Sequence, residues 1–440
     1  MIALLRTAQA LAQGDMPEAV KNARRVLDAA PKNDYLMLGG AASTLGLAAW
    51  TAGDLDAARR MTAEGMANVR RAGYTSSAIG GAIVLADIQI AQSRLREAMS
   101  TYEQGLRWAA EPGAPVLRGA ADMHAGMGDL YYEHNDLSTA LQHLLTSQSL
   151  GEQAGLPQYP YRWCAAMARI RQAQGNLDEA LALLDKAERL YEANFSPNMR
   201  PIAARKVWLW LAQGRLDKAL AWAREMGLSA DDDLSCLRAY EHITLARVLL
   251  ARYQSGRERR FIQDAMALLE RLLKAAEAGS WMGCVIEILV LQALAYHAQG
   301  DLGTALVPLQ RALALAEPEG YVRIFIDQGE AMRPLLAKQS QNRNHPLSDY
   351  VDKLLTAFPQ PAAAEKPAVI HQKSELTEPL SERELEVLKL LRSELSGPGI
   401  ARQLSVSINT FRTHTKNIYL KLGVNDRRTA IRRAEELDLI

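Results

Sequence analysis

Ala173-Gln174-Gly175-Asn176-Leu177-Asp178-Glu179-Ala180 is the stretch that decides the fold. Glycine in a left-handed cap ends one helix. Asn176 stands where the next helix needs an N-cap, and Asp178 and Glu179 suit its positive end. Ala180 is small enough for two helices to pack closely. The same pattern returns around Gly14, Gly53, Gly214 and Gly300, each followed by a capping or polar residue and then by alanine. Weaker copies end at Ala98, Ala140 and Ala265. The eight alanines, at 19, 58, 98, 140, 180, 219, 265 and 305, are spaced by 39, 40, 42, 40, 39, 46 and 40 residues. A period near 40 with two helices per unit predicts a stack of about eight helical hairpins, an α-solenoid.

Tetratricopeptide hairpins have a period of about 34, so these units carry longer helices or loops. After Ala316, Glu317-Pro318-Glu319-Gly320 breaks the pattern, and two short helices at about 329–339 and 346–357 are expected to cap the array. Between Pro359 and Pro379 the chain has prolines and small residues with few large apolar ones, which reads as a semi-extended linker. The expected organisation is therefore an all-α chain: solenoid 1–357, linker 358–379 and a separate C-terminal domain 380–440.

Composition agrees. Of 440 residues, 48% are apolar and 23% charged, so the chain has the material for a core and is not globally disordered. Cys164, Cys236 and Cys284 are too few and too far apart for a disulfide framework or a zinc site, which points to a reducing cytosol. The most apolar run, Trp281 to Ala298, carries Glu287 and Gln292 and reads as a buried helix, so no membrane partner is expected. The N-terminus lacks a basic segment before its apolar residues, and Arg6 interrupts them, so it is not read as a signal peptide. No GxSxG, HExxH or spaced acidic partner for His124, His134 and His143 is present, so no enzyme, metal or cofactor is expected.

Charge is uneven. From Leu395 to Ala434, eight Lys or Arg face a single acid, Asp426, in a chain whose net charge is +1. That is the footprint of a polyanion binder. Ser381-Glu382-Arg383-Glu384 is a capping box opening a helix with Leu385, Leu388 and Leu391 on one face. A turn through Gly397-Pro398-Gly399, a short helix, a second turn and a long helix from Ser407 to about Leu422 make a helix-turn-helix, followed by a last helix from about Asp426 to Leu437. On the long helix, Phe411, Thr415, Ile418 and Leu422 share the inner arc, while Asn409, Arg412, Thr413 and Lys416 share the outer one. Those four are assigned to base edges in the major groove of double-stranded DNA. Arg402, Ser407, Thr410, Lys421, Arg427 and Arg428 are assigned to phosphates.

Leu380-Ser381-Glu382-Arg383-Glu384, Ile400-Ala401, Thr410-Phe411-Arg412-Thr413-His414, Asn417-Ile418 and Lys421-Leu422-Gly423-Val424 closely resemble the LuxR-type DNA-binding domain. The stretches from Tyr240 to Leu250, from Ile286 to Leu294 and from Glu317 to Arg323 resemble the MalT-like branch of LuxR regulators. The resemblance implies a cytoplasmic transcription regulator that homodimerises on DNA through its final helix, with RNA polymerase as a further partner. Two features depart from the branch. Gly397-Pro398-Gly399 and Glu394 replace residues that would stand beside DNA, and no P-loop precedes the repeats. The chain is either a short relative or the C-terminal part of something longer.

The solenoid's concave side is the expected seat of a small-molecule inducer or protein partner. Tyr159, Tyr161, Arg162 and Trp163 fall on one helix, Arg205, Trp208 and Trp210 on the next, and Arg238 and Tyr240 on a third. Rings filling the inter-repeat core are the plainer reading of the same residues. The rival for the whole chain is an interaction scaffold with a vestigial DNA-binding module.

Overall fold

The computed structural model describes residues 2–110, 118–191, 197–341, 346–358, 380–393, 395–404, 406–422, 424, 427–436 and 439. For residues 2–4, 12, 382, 409, 412, 416, 420, 428, 435 and 436 it describes the backbone alone. The chain separates into two compact units, Met1–Pro359 and Gln360–Ile440. Of the linker expected at 358–379, residues 359–379 lie outside the described residues, and Phe358 instead belongs to the first unit's core, where it is buried.

Among its described residues the first unit holds eight antiparallel hairpins: α1 (Ile2–Ala12) with α2 (Met16–Ala29), α3 (Tyr35–Thr51) with α4 (Leu55–Arg71), α5 (Thr75–Ala91) with α6 (Leu95–Ala109), α7 (Ala120–Glu133) with α8 (Leu137–Leu150), α9 (Tyr159–Ala173) with α10 (Leu177–Arg189), α11 (Ile202–Ala212) with α12 (Leu216–Glu225), α13 (Ala239–Gly256) with α14 (Arg259–Ala278), and α15 (Met282–Ala298) with α16 (Leu302–Ala316). Three short helices follow: α17 (Arg323–Ile326), α18 (Arg333–Ser340) and α19 (Ser348–Ala357). No strand occurs among the described residues.

The repeating tetrad acts as its chemistry requires. All eight periodic alanines have 0% exposure, because each sits where a larger side chain would hold its two helices apart. Asp15, Asp34, Asp54, Asp136 and Asp301 each accept a hydrogen bond from a backbone N–H in the first turn of the helix they precede. Asn176 makes no such bond. Most second helices of the pairs are amphipathic, with charge on the outer side. The inner α15 is buried nearly all round; its run from Val285 to Leu291 has no exposed residue. No described helix is long and apolar enough to cross a membrane.

The array does not stay open. Trp281, ahead of α15, donates its indole N–H to the carbonyl of Gly53 at 2.7 Å, joining turns 228 residues apart. Beside it, Ser280 Oγ donates to Asp56 at 3.0 Å. The chain thus winds through one tight turn and meets itself. After α16, α18 packs against it and α19 packs against α18. The stretch before them does something further. Val322 N–H donates to the Glu133 carbonyl at 2.9 Å and Ile324 N–H to the Glu133 carboxylate at 2.8 Å. Segment 321–328 is therefore pinned to α7, four hairpins back, and lines the interior.

The second unit comprises α20 (Glu382–Leu391), α21 (Gly397–Gln403), α22 (Ile408–Leu422) and α23 (Arg427–Glu436). Its core is built from Val387, Leu388, Leu391, Ile400, Phe411, Ile418, Leu422, Ala430 and Ala434.

Candidate functional site

The capping box is formed: Ser381 Oγ accepts from the N–H of Glu384, and the Glu384 carboxylate accepts from the N–H of Ser381 at 2.9 Å. Pro398 takes the first turn of α21 and Ser407 Oγ accepts from Thr410 N–H at 3.1 Å, opening α22. Phe411, Ile418 and Leu422 are buried, and Thr415 is half-buried with its hydroxyl bonded back to the Phe411 carbonyl. Those residues fix how α22 is rotated on its support. Thr410, Thr413 and Asn417 are consequently exposed, on the side away from the core. Asn417 lies above Thr410 and Thr413 by helical spacing, yet the sequence reading left it out of the reading face. The side chains of Asn409, Arg412, Lys416 and Arg428 lie outside the described residues.

Other assigned phosphate contacts fall in different places. Arg402 and Ser407 are exposed at the turn between α21 and α22. Lys421 Nζ is 2.9 Å from the buried Glu384 carboxylate. Burial pushes that carboxyl up, but the Ser381 N–H and the Lys421 ammonium outweigh it and hold the pKa below the usual range. Arg427 donates to the carbonyls of Leu391 and Leu395, both at 2.8 Å, and also to that of Ser393. Its guanidinium closes the C-terminal end of α20.

Within the first unit a small cavity, open to solvent, is lined from α7, α9, α10, α11, α13, α15 and segment 321–328, with Arg200 ahead of α11. Arg205, Trp208 and Tyr240 from the sequence reading line it. The remaining six do not. Tyr159 is buried with its hydroxyl donating to the Ser147 carbonyl, and Tyr161 packs edge-on against Tyr191. Arg162 pairs with Asp87 at 2.5 Å, and Trp163 donates to the Leu144 carbonyl. Trp210 lies under the Lys206 ammonium and Arg238 pairs with Glu241. On α9 the cavity takes the opposite end of the helix, Ala165, Ala168, Arg169 and Gln172, whose i, i+3, i+4 and i+7 spacing makes one face.

Charges in the cavity are mostly matched. Glu133 pairs with Arg169 at 2.8 Å, Glu287 with Arg247 at 3.0 Å, and Asp327 with Arg323 at 2.5 Å. Asp327 also accepts from the Tyr132 hydroxyl at 2.9 Å. Burial lifts the Asp327 carboxyl to about 6, against the pull of Arg323 and Arg169. Two cations stand apart. Among the described residues, the guanidinium groups of Arg200 and Arg205 have neither a salt-bridge nor a hydrogen-bond partner; that of Arg200 only rests over the Tyr240 ring at 5.4 Å. Burial lowers the Arg205 pKa. At Arg200 burial acts the same way, but Glu287, Tyr240 and Cys284 together outweigh it and raise the pKa.

Eight wound hairpins and a separate four-helix unit with an exposed recognition helix define the class: an α-solenoid carrying a helix-turn-helix. The chain belongs to the MalT-like TPR region family, whose model matches residues 1–342, and the model of the luxR family of bacterial regulatory proteins matches residues 378–434. It is 26% identical over 98% of its length to the HTH-type transcriptional regulator MalT of Cronobacter sakazakii, of which it covers 49%. It is 27% identical over 64% of its length to the MalT of Serratia proteamaculans, of which it covers 32%. The chain thus spans 32% to 49% of the length of these curated relatives. A solved P58(IPK) TPR domain covers 80% of this chain and is itself covered over 97%, at 14% identity and a TM-score of 0.23.

Proposed function

We propose that the chain is a transcriptional regulator: its helix-turn-helix unit reads promoter DNA, and its wound solenoid receives a small effector in the interior cavity. The observation that carries the first half is the rotation of α22. Phe411, Ile418 and Leu422 are turned inward, leaving Thr410, Thr413 and Asn417 outward on one exposed face of the helix. Hydroxyl and amide groups at that position match the edges of bases and the phosphates beside them. α23 is the surface on which two such units pair, since a single small module has only modest affinity for duplex DNA.

Selection of fragments from the source genome by the full chain, followed by anisotropy titration of the winning duplex, tests the reading. Asn417→Ala and Thr413→Ala each weaken the selected site by about 1–3 kcal/mol and leave random duplex binding nearly unchanged. Equal retention of selected and random duplex overturns it. Footprints confined to one half-site at saturating protein overturn the pairing on α23.

A further inference from the structure

We propose that the interior cavity is a receptor site for a small organic anion, a phosphate monoester or a carboxylate, whose charged group docks against Arg200 and Arg205. The proposal rests on the effector half of the proposed function and gives that effector a chemistry.

Its basis is the inventory of charge on the cavity wall. Every carboxylate lining the cavity already has a guanidinium: Glu133 has Arg169, Glu287 has Arg247 and Asp327 has Arg323. Glu133 additionally accepts the Ile324 N–H, and Asp327 the Tyr132 hydroxyl, so their lone pairs are further occupied. Arg247 spends another N–H on the side-chain oxygen of Gln328 at 2.6 Å. These groups form a closed network whose work is to hold segment 321–328 to α7 and α13. Arg200 and Arg205 stand outside it, with no acceptor among the described residues.

They stand close in sequence, one just before α11 and one in its first turn, and both line the same cavity. A guanidinium offers five donors in a rigid fork. Arg205 is half-buried, so leaving its donors without an acceptor carries a cost, whereas Arg200 is exposed, and the Arg200 charge further disfavours the Arg205 cation. A neutral ligand relieves neither cost, whereas a carboxylate or phosphate supplies oxygens spaced for bidentate capture and cancels the repulsion. Ala165, Ala168, Leu184 and Leu209 also line the cavity and present an apolar surface for the body of the ligand. Gln172, whose side-chain amide has no hydrogen-bond partner among the described residues, supplies one more polar group.

Isothermal titration of the full chain at constant ionic strength, with phenyl phosphate, benzoate and benzyl alcohol as probes, tests this. At least one of the two anions should bind ten-fold or more tightly than the neutral alcohol, and the tighter anion tells phosphate ester from carboxylate. Arg200→Gln and Arg205→Gln should each weaken that anion about ten-fold or more. Neither guanidinium has a hydrogen-bond or salt-bridge partner among the described residues, and Arg200 only rests over the Tyr240 ring, so the melting midpoint of both variants should stay near that of the parent chain. As a check independent of any variant, the bound anion should slow amide hydrogen exchange at residues 199–210 in the unsubstituted chain. Equal affinity for anion and alcohol, or no binding of any probe, overturns the proposal. So does full anion affinity in the Arg200→Gln, Arg205→Gln double variant, which would place the anion on the basic C-terminal unit. Fragment selection by the DNA-binding unit is unaffected by any of these results, so failure of the anion site and failure of the DNA reading are told apart.

Discussion

Replacing Gly53 with alanine and, separately, Gly300 with alanine separates the closure of the solenoid from the geometry of its turns. Both glycines occupy the same place in their hairpins and have nearly the same backbone, φ +86° and +84°. An L-residue in that region costs about 1–2 kcal/mol at either site. Their surroundings differ. A Cβ at Gly300 meets nothing within 4 Å, whereas at Gly53 it lies 3.0 Å from Trp281 Cζ2 and 3.2 Å from Cys236 Cβ. The indole has no room to withdraw, being 7% exposed and tied by its N–H to the Gly53 carbonyl. Overpacking of this kind adds about 1–3 kcal/mol. Gly300→Ala should therefore cost about 1–2 kcal/mol and Gly53→Ala about 2–5 kcal/mol. Urea unfolding followed by circular dichroism gives the two losses, and hydrogen exchange shows where they fall. Gly53→Ala should speed exchange at both ends of the seam, around residues 50–58 and 279–285, while Gly300→Ala should act only near its own turn. Equal losses in the two variants, with exchange unchanged around Trp281, would refute the closure.

Lys421→Ala should act on stability before it acts on DNA. It removes the cation facing Glu384, whose side chain is only 5% exposed, and Lys421 itself is 20% exposed. The expected loss is about 1–3 kcal/mol, below the cost of stranding a fully buried charge. It is read as faster amide exchange across residues 382–391, and protection equal to that of Arg402→Ala would count against it. The His124–His143 pair should make the first unit acid-sensitive. Their Nδ1 atoms are 2.9 Å apart, and burial holds both pKa values below the usual range, with His143 adding to the effect at His124. A depressed histidine leaves stability intact above its unfolded pKa, about 6.5, and loses it as the pH falls toward the folded value. The difference in unfolding free energy between the parent chain and His143→Asn should therefore shrink from pH 7 to pH 5; comparing the two cancels the opposite trend from Asp122, which burial lifts to about 6. A difference that does not change with pH would disprove this role.

Local features were legible because each needs only its neighbours. The alanines at the eight periodic positions are small for a contact inside one hairpin, and the Ser381–Glu384 box satisfies its own helix end. The rotation of α22 follows from Phe411, Ile418 and Leu422 alone. The cavity was legible only in part. Its α11 and α13 members, Arg205, Trp208 and Tyr240, stood out as rings and charges on successive helices. Tyr132 and Glu133 on α7 did not, because they become wall residues only when segment 321–328 crosses to meet them. On α9 the conspicuous rings Tyr159, Tyr161 and Trp163 drew the reading to the wrong end of the helix. Rings that find hydrogen-bond and packing partners within their own repeat have nothing left for a ligand. Closure itself leaves no periodic trace: Trp281 is one tryptophan in an apolar run until Gly53 is placed beneath it.

That seam makes copy number a geometric constant. In an open repeat array each unit touches only its neighbours, so one unit can be gained or lost while the rest persist. Here Trp281 must arrive over Gly53, and the Arg96 N–H must reach the Glu319 carboxylate 223 residues on, where they are 3.0 Å apart. Deleting any hairpin between them carries both partners away from their targets by the rise and rotation of a whole unit. Lineages of this solenoid are therefore free to change its loops and outer faces, but not to lengthen or shorten it one hairpin at a time.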